Sequence, residues 1–246
     1  MSGEARPDPR VERFADSDAV AEEVARRLLD VLSVFQANGH DPHIGLTGGT
    51  IADVLHRRLA ELSPDSNVDW SRVHVWWGDE RFVAADSDDR NALQARRALL
   101  DHVDVDPALV HEMPSTDDAR DAEAGAAAYS ATVRASGDGE LDVLMLGIGP
   151  DGHCASLFPH HPALHVEDQV ATYVLDSPKP PPERITLTFE ALNRSKAVWF
   201  LATGERKADA VAAALSPGEV RDTPARGVRG SAETIFFVDE AAAARL

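Results

Sequence analysis

The chain has 246 residues, enough for one sizeable core, and its 43% hydrophobic and 27% charged content excludes an extended disordered chain. Lys and Arg number 24 against 42 Asp and Glu, a formal net charge of −18 that disfavours nucleic acid and anionic membrane as partners. The same charge repels a small anion at long range, so any anion site must be a local cluster of cations and backbone N–H groups.

A single cysteine, Cys154, excludes an internal disulfide and fits a reducing compartment. Met1 to Pro9 carry no apolar run of the signal-peptide kind, and no segment approaches the length of a membrane span. The expectation is one cytoplasmic domain over residues 1–246, monomeric, with residues 1–13 as a flexible N-terminal segment.

Val20, Val24, Leu28, Val31 and Phe35 recur at helical spacing and predict a first amphipathic helix capped by Asp16 or Ser17. His43 to Thr47 reads as a short buried strand. Gly48-Gly49-Thr50 follows it, and Ile51, Leu55 and Leu59 mark the next helix. Val73 to Trp77 is a second strand, and Asn91 to Leu100 a helix. The Ala-rich stretch from Asp117 to Ala135 predicts another helix with Ser115 or Thr116 at its cap. Leu141 to Leu146 is apolar apart from Asp142, the signature of a strand buried on both faces. Val170–Leu175, Arg184–Thr188, Ala197–Ala202 and Ile235–Val238 read as further strands, with a helix from Lys207 to Leu215. Strands alternating with helices predict an α/β fold: three layers, α/β/α, around a mostly parallel, Rossmann-like sheet.

Ligands of open parallel sheets bind at the carboxyl ends of the strands. The polar motifs fall there. Leu46-Thr47-Gly48-Gly49-Thr50 runs from strand to helix, where two glycines admit close backbone approach and the helix start offers free N–H groups to an anion. The same glycines also suit a tight turn without a ligand. Trp77-Gly78-Asp79-Glu80-Arg81-Phe82-Val83 puts two carboxylates and a guanidinium at a strand end. Arg81 can fork onto an anionic group while Asp79 or Glu80 holds it or meets sugar hydroxyls. In isolation such a triplet is a surface ion pair; its position favours a ligand.

Leu146-Gly147-Ile148-Gly149-Pro150-Asp151-Gly152-His153 follows the most apolar strand. A carboxylate two residues from a histidine can fix its tautomer and raise its basicity. Cys154 is adjacent, and reads as a small buried thiol rather than a nucleophile. Ser177 to Pro182 is a proline-stiffened loop that presents Lys179 and Arg184. Thr203-Gly204-Glu205-Arg206-Lys207 places Lys207 near a helix start, where a cation is disfavoured unless an anion is bound. His160 and His161 join His153 at no metal-ligand spacing, so no metal site is expected.

Taken in this order, these motifs resemble the 6-phosphogluconolactonase family. The matches are Gly78 to Val83, Leu146 to His153, Ala155-Ser156-Leu157-Phe158-Pro159, and Pro178 to Pro181 with Arg184 to Thr188, within a resemblance running from about Phe14 to Val238. Cys154 stands where many members have Thr, Ala84 where Pro is frequent, and Thr47 and Thr50 where Ser is frequent. The resemblance implies the fold shared with glucosamine-6-phosphate deaminases and ribose-5-phosphate isomerases, and cofactor-free hydrolysis of 6-phospho-D-glucono-1,5-lactone. It implies His153 as general base, and the Asp151–His153 spacing adds Asp151 as the group that orients it. Gly48, Gly49, Thr50, Asp79, Arg81, Arg184 and Lys207 are the expected substrate contacts.

Two other readings compete. An amino-sugar phosphate deaminase on the same fold would share the Asp-Gly-His loop, but would carry an acidic residue where this chain reads Ser156-Leu157-Phe158-Pro159. A non-catalytic sugar-phosphate sensor would want a basic DNA-binding segment, which the charge and the single helix before the first predicted strand oppose.

Overall fold

The computed structural model describes residues 6–136 and 139–246. Six parallel strands form the central sheet: β1 (Arg10–Phe14), β2 (His43–Leu46), β3 (His74–Trp77), β5 (Val143–Gly147), β8 (Ala197–Ala202) and β9 (Glu233–Asp239). Their spatial order is β1-β9-β8-β5-β2-β3. A second sheet of three antiparallel strands joins β4 (Asp79–Arg81), β7 (Arg184–Leu187) and β6 (Ala171–Val174), in that order.

Alternate side chains of the central strands enter opposite cores, as the pleat requires. Val143 and Met145 of β5, Trp199 and Leu201 of β8, and Ile235 and Phe237 of β9 face one layer. There they meet Val20, Val24, Leu28 and Leu32 of α1 (Ser17–Ala37), Leu55 and Leu59 of α2 (Thr50–Leu62), and Ala92 and Ala95 of α3 (Asn91–Ala98). Leu144, Leu146, Val198, Phe200, Phe236 and Val238 face the other layer. That layer holds α4 (Ala122–Ala135), the short α5 (Phe189–Leu192), α6 (Ala208–Leu215) and the antiparallel sheet. The strands are thus buried on both faces, and the three-layer α/β/α expectation holds.

Three expectations need correction. Residues 1–13 are not all a flexible lead-in, because Arg10–Phe14 pairs in parallel with β9 at the sheet edge, Arg10 opposite Ile235. Residues 1–5 of that segment lie outside the described residues. The helix expected from Asp117 begins only at Ala122, where the Asp121 side chain accepts from the Ala124 N–H at 2.7 Å. Ser115 instead closes its own turn, its hydroxyl donating to Asp118 at 2.7 Å. Finally, β6 and β7 do not join the parallel sheet; they pair with each other, and β7 with β4.

At the amino ends of β2 and β3 lies a stack of neutral rings. His43 and His74 stack with centroids 4.1 Å apart, and Trp76 and His111 at 3.8 Å. His43 Nδ1 accepts from the Trp76 indole N–H at 3.2 Å, and His74 Nδ1 lies 3.1 Å from His111 Nε2. Burial, then the adjacent His74, pushes His43 and His111 down to about 4, and burial lowers His74 as well. Asp142 and Asp41 oppose the shift at His43 and His74 respectively. The unfolded chain therefore binds more protons than the native one below about pH 6.5. Stability is expected to be full at neutral pH, to fall as pH drops through 6.5, and to stop falling on this account below about 4. Urea midpoints at pH 7.5 and 5.0 check this; equal midpoints would contradict it.

Candidate active site

Four adjacent strands, β8, β5, β2 and β3, end at one edge of the sheet, and their following loops enclose a cleft of about 400 Å³. Of the expected contacts, Gly48, Gly49, Thr50, Asp79, Arg81, His153, Arg184 and Lys207 all line it. Asp151 stands just behind, its Oδ1 2.5 Å from His153 Nδ1. Lys179, which sequence reasoning noticed only as a loop charge, and Asn91, which it missed, also line the cleft.

The loop after β5 is folded around His153. Its carbonyl accepts from the Gly149 N–H at 2.8 Å, and the Gly149 carbonyl accepts from the Gly152 N–H at 2.9 Å. A Cβ on Gly149 would lie 1.9 Å from His153 Nδ1 and 2.3 Å from Asp151 Oδ1. Glycine is thus what lets the backbone pass beside the pair. The His153 ring rests on Phe158, centroids 4.6 Å apart, and its side chain is only 16% exposed. Burial lowers the imidazole pKa, while Asp151 and Asp79 raise it and Lys179 lowers it further. Asp151 is held well below the usual carboxylate range by His153 and Lys179, against the opposing effect of its burial.

The Asp79-Glu80-Arg81 triplet divides its labour. Asp79 accepts from the Ser156 hydroxyl at 2.6 Å. Glu80 does not face the ligand space. It is buried and accepts from the N–H groups of Arg81, Asn91 and Ala92 at 2.7–2.8 Å, so it holds the start of α3. Asn91 in turn accepts from Arg81 and donates to the Asp79 carbonyl at 2.9 Å. Its side chain fills the space above Gly48, where a Cβ would lie 1.8 Å from Asn91 Oδ1. The signal for Asn91 was faint because a neutral amide ten residues beyond Arg81 carries no charge pattern.

Strand register sets Arg81 directly opposite Arg184. Like charges facing across a strand pair are destabilising unless something compensates. Arg184 is only 5% exposed, and burial lowers its guanidinium pKa, with Asp79 opposing. It donates through Nε to the Pro181 carbonyl at 2.8 Å and through Nη2 to those of Lys179 and Pro180. Lys207 donates to the Ile148 carbonyl, and burial and Lys179 lower its ammonium pKa. Four cations thus converge on one cleft of a strongly acidic chain, an arrangement that favours an anionic ligand.

At the β2–α2 corner the helix has no side-chain cap. The Gly49 N–H donates to Gln94 Oε1 at 3.0 Å, so it is engaged. No hydrogen-bond partner of the Gly48 N–H is found among the described residues, and the first-turn N–H groups of Thr50 and Ile51 have none within the helix. The Cys154 thiol is fully buried, and burial pushes its pKa up, which removes it as a thiolate nucleophile. His160 faces Asp222 at 3.3 Å, and His161 caps the turn at Ala163, so neither joins His153. Among the described residues no cluster of three His, Cys, Asp or Glu side chains could hold a metal ion. A larger hollow of about 650 Å³ between α4 and β6 lies away from the glycine loops and holds Arg134 with Glu123 and Asp176.

The family model described as glucosamine-6-phosphate isomerases/6-phosphogluconolactonase matches residues 15–237. A 6-phosphogluconolactonase of Mycobacterium tuberculosis is 44% identical over 243 residues, 96% of this chain and 98% of that protein. One of Streptomyces coelicolor is 42% identical over 97% of this chain and 95% of its own. The 6-phosphogluconolactonase structure of Thermotoga maritima superposes with a TM-score of 0.80 at 28% identity, covering 95% of this chain and 100% of that one. A monomeric glucosamine-6-phosphate deaminase shares the fold, with a TM-score of 0.83 at 21% identity over 96% of this chain and 100% of its own. This chain belongs to the 6-phosphogluconolactonase family, within the wider group of glucosamine-6-phosphate isomerases/6-phosphogluconolactonases.

Proposed function

We propose that this protein hydrolyses 6-phospho-D-glucono-1,5-lactone to 6-phospho-D-gluconate, with His153 as the base that activates water. The observation that carries the reading is the Asp151–His153 pair opening on a cleft lined by Arg81, Lys179, Arg184 and Lys207. A lactone is an activated ester and needs no covalent nucleophile. With Nδ1–H donated to Asp151, Nε2 is left to take a proton from water. The water oxygen attacks C1, and negative charge develops on the carbonyl oxygen. The Gly48 N–H, the first turn of α2 or Arg81 stabilises that charge. The C1–ring oxygen bond then breaks, and the imidazolium returns its proton to the departing oxygen.

Lys207, with Arg184 assisting, anchors the phosphate in this account. The partly engaged guanidinium of Arg184 suits it to the lesser share. Asp79, held by Ser156, orients sugar hydroxyls. Lys207→Ala is expected to raise KM for the lactone by about tenfold or more, the scale of one charged hydrogen bond, with a smaller change in kcat. An unchanged KM would remove Lys207 from the phosphate site. Among the described residues only four large apolar side chains are exposed, Val34, Leu175, Val220 and Leu246, and so few fit a monomer. The test against the rival activity is to offer the lactone and glucosamine 6-phosphate side by side. Ring opening of the first without ammonia release from the second is expected; the reverse would assign a deaminase.

A further inference from the structure

We infer that Lys179 is a positioning residue that keeps His153 unprotonated and able to accept a proton, by compensating the charge of Asp151. The inference rests on the reading of His153 as the base.

Lys179 Nζ lies 3.3 Å from His153 Nδ1 and 3.8 Å from Asp151 Oδ1. With the 2.5 Å Asp151–His153 contact, three charged or chargeable groups form one small triangle. A carboxylate alone at that distance would favour the imidazolium, and a base that is already protonated cannot take a proton from water. Phe158 covers the imidazole, whose side chain is 16% exposed, while the Asp151 carboxylate and the Lys179 ammonium stay partly open to water, which moderates their effect on the ring.

The ammonium is delivered by a braced loop rather than a free side chain. The Lys179 N–H donates to Ser177 Oγ at 3.2 Å, and the Ser177 hydroxyl donates to the Lys179 carbonyl at 2.9 Å. Arg184 donates to the carbonyls of Lys179, Pro180 and Pro181. The charged groups around His153 are then Asp151 on its own loop, Lys179 from the proline loop, and Asp79 from β4. Lys207 from the turn before α6 and Arg184 from β7 complete the cleft wall, and the adjacent Cys154 thiol is neutral. Asp151 and Asp79 favour the imidazolium; burial and Lys179 oppose it. Lys179 is the cation nearest the imidazole, and Asp151 favours its charged form.

The test is a histidine NMR titration of the free protein beside the pH profile of kcat/KM for the lactone. Lys179→Met is expected to raise the His153 titration midpoint and to move the acid limb of kcat/KM to higher pH. Lys179→Arg is expected to return both to their wild-type positions. In an Asp151→Asn background the midpoint is expected to fall, and adding Lys179→Met is expected to raise it again, because the ammonium acts on the imidazole directly across 3.3 Å. Lys179→Gln replaces Lys179→Met if the apolar side chain disturbs the loop. A folded Lys179→Met variant with an unchanged or lowered midpoint would overturn the inference, as would a Lys179→Arg variant that leaves the midpoint raised. The titration needs no substrate, so absence of lactone turnover in the wild type would overturn the proposed function separately.

Discussion

Replacing His153 with alanine is expected to lower kcat by about 10²–10⁴-fold, the usual contribution of a general acid–base group. The side chain carries both proton transfers: it takes the proton from water and returns it to the ring oxygen. It also has one ring nitrogen committed to Asp151 at 2.5 Å, which fixes the tautomer that leaves the other free. No neighbour can replace it. Cys154 is buried with its pKa pushed up, and His160 and His161 point to other partners. KM should change little, because the cations of the cleft remain. Steady-state kinetics beside far-UV circular dichroism separates loss of chemistry from loss of fold. Wild-type kcat in the variant would remove His153 from the mechanism.

Gly149→Ala should cost about 10²-fold in kcat while leaving most of the fold intact. The new Cβ would lie 1.9 Å from His153 Nδ1 and 2.3 Å from Asp151 Oδ1, so the pair must move by an ångström or more. Misplacement on that scale is enough for a loss of this size. The damage is local because the preceding strand residues, Leu144 to Leu146, are held by the sheet. A variant with normal kcat would mean that the Asp151–His153 geometry is not what sets the rate. Nothing in the reaction chemistry singles out Gly149; only its proximity to the two side chains does.

The parallel sheet was legible because β5, β8 and β9 are runs of apolar residues that must be covered on both faces. α1 was legible from its 3.6-residue period and its Asp16 cap, which accepts from Ala19 at 2.8 Å. β1 was hidden: Arg10-Val11-Glu12-Arg13-Phe14 holds two apolar residues among three charges, and only pairing with β9 at the far end of the chain makes it a strand. The antiparallel sheet was hidden for a related reason. β4 is three residues long and reads as a polar motif, and its partner β7 lies a hundred residues on.

The charged members of the site were legible because a glycine-rich loop after a strand is a strong positional signal, and the cations stood out against an acidic chain. Their supports were not. Ser156, Asn91 and Gln94 are neutral polar residues whose importance comes from what they touch: Asp79, Arg81 and the Gly49 backbone. Glu80 looked equivalent to Asp79 in sequence. The structure separates them, since one carboxylate is spent on the start of α3 and the other lines the cleft.

The most direct measurement is hydrolysis of freshly generated 6-phosphogluconolactone, coupled to 6-phosphogluconate dehydrogenase, for wild type and His153→Ala with and without a chelator. Wild-type turnover far above spontaneous hydrolysis, retained in chelator and lost in the variant, is the predicted result. A wild-type rate no greater than the spontaneous one, or undiminished turnover in His153→Ala, would contradict the account.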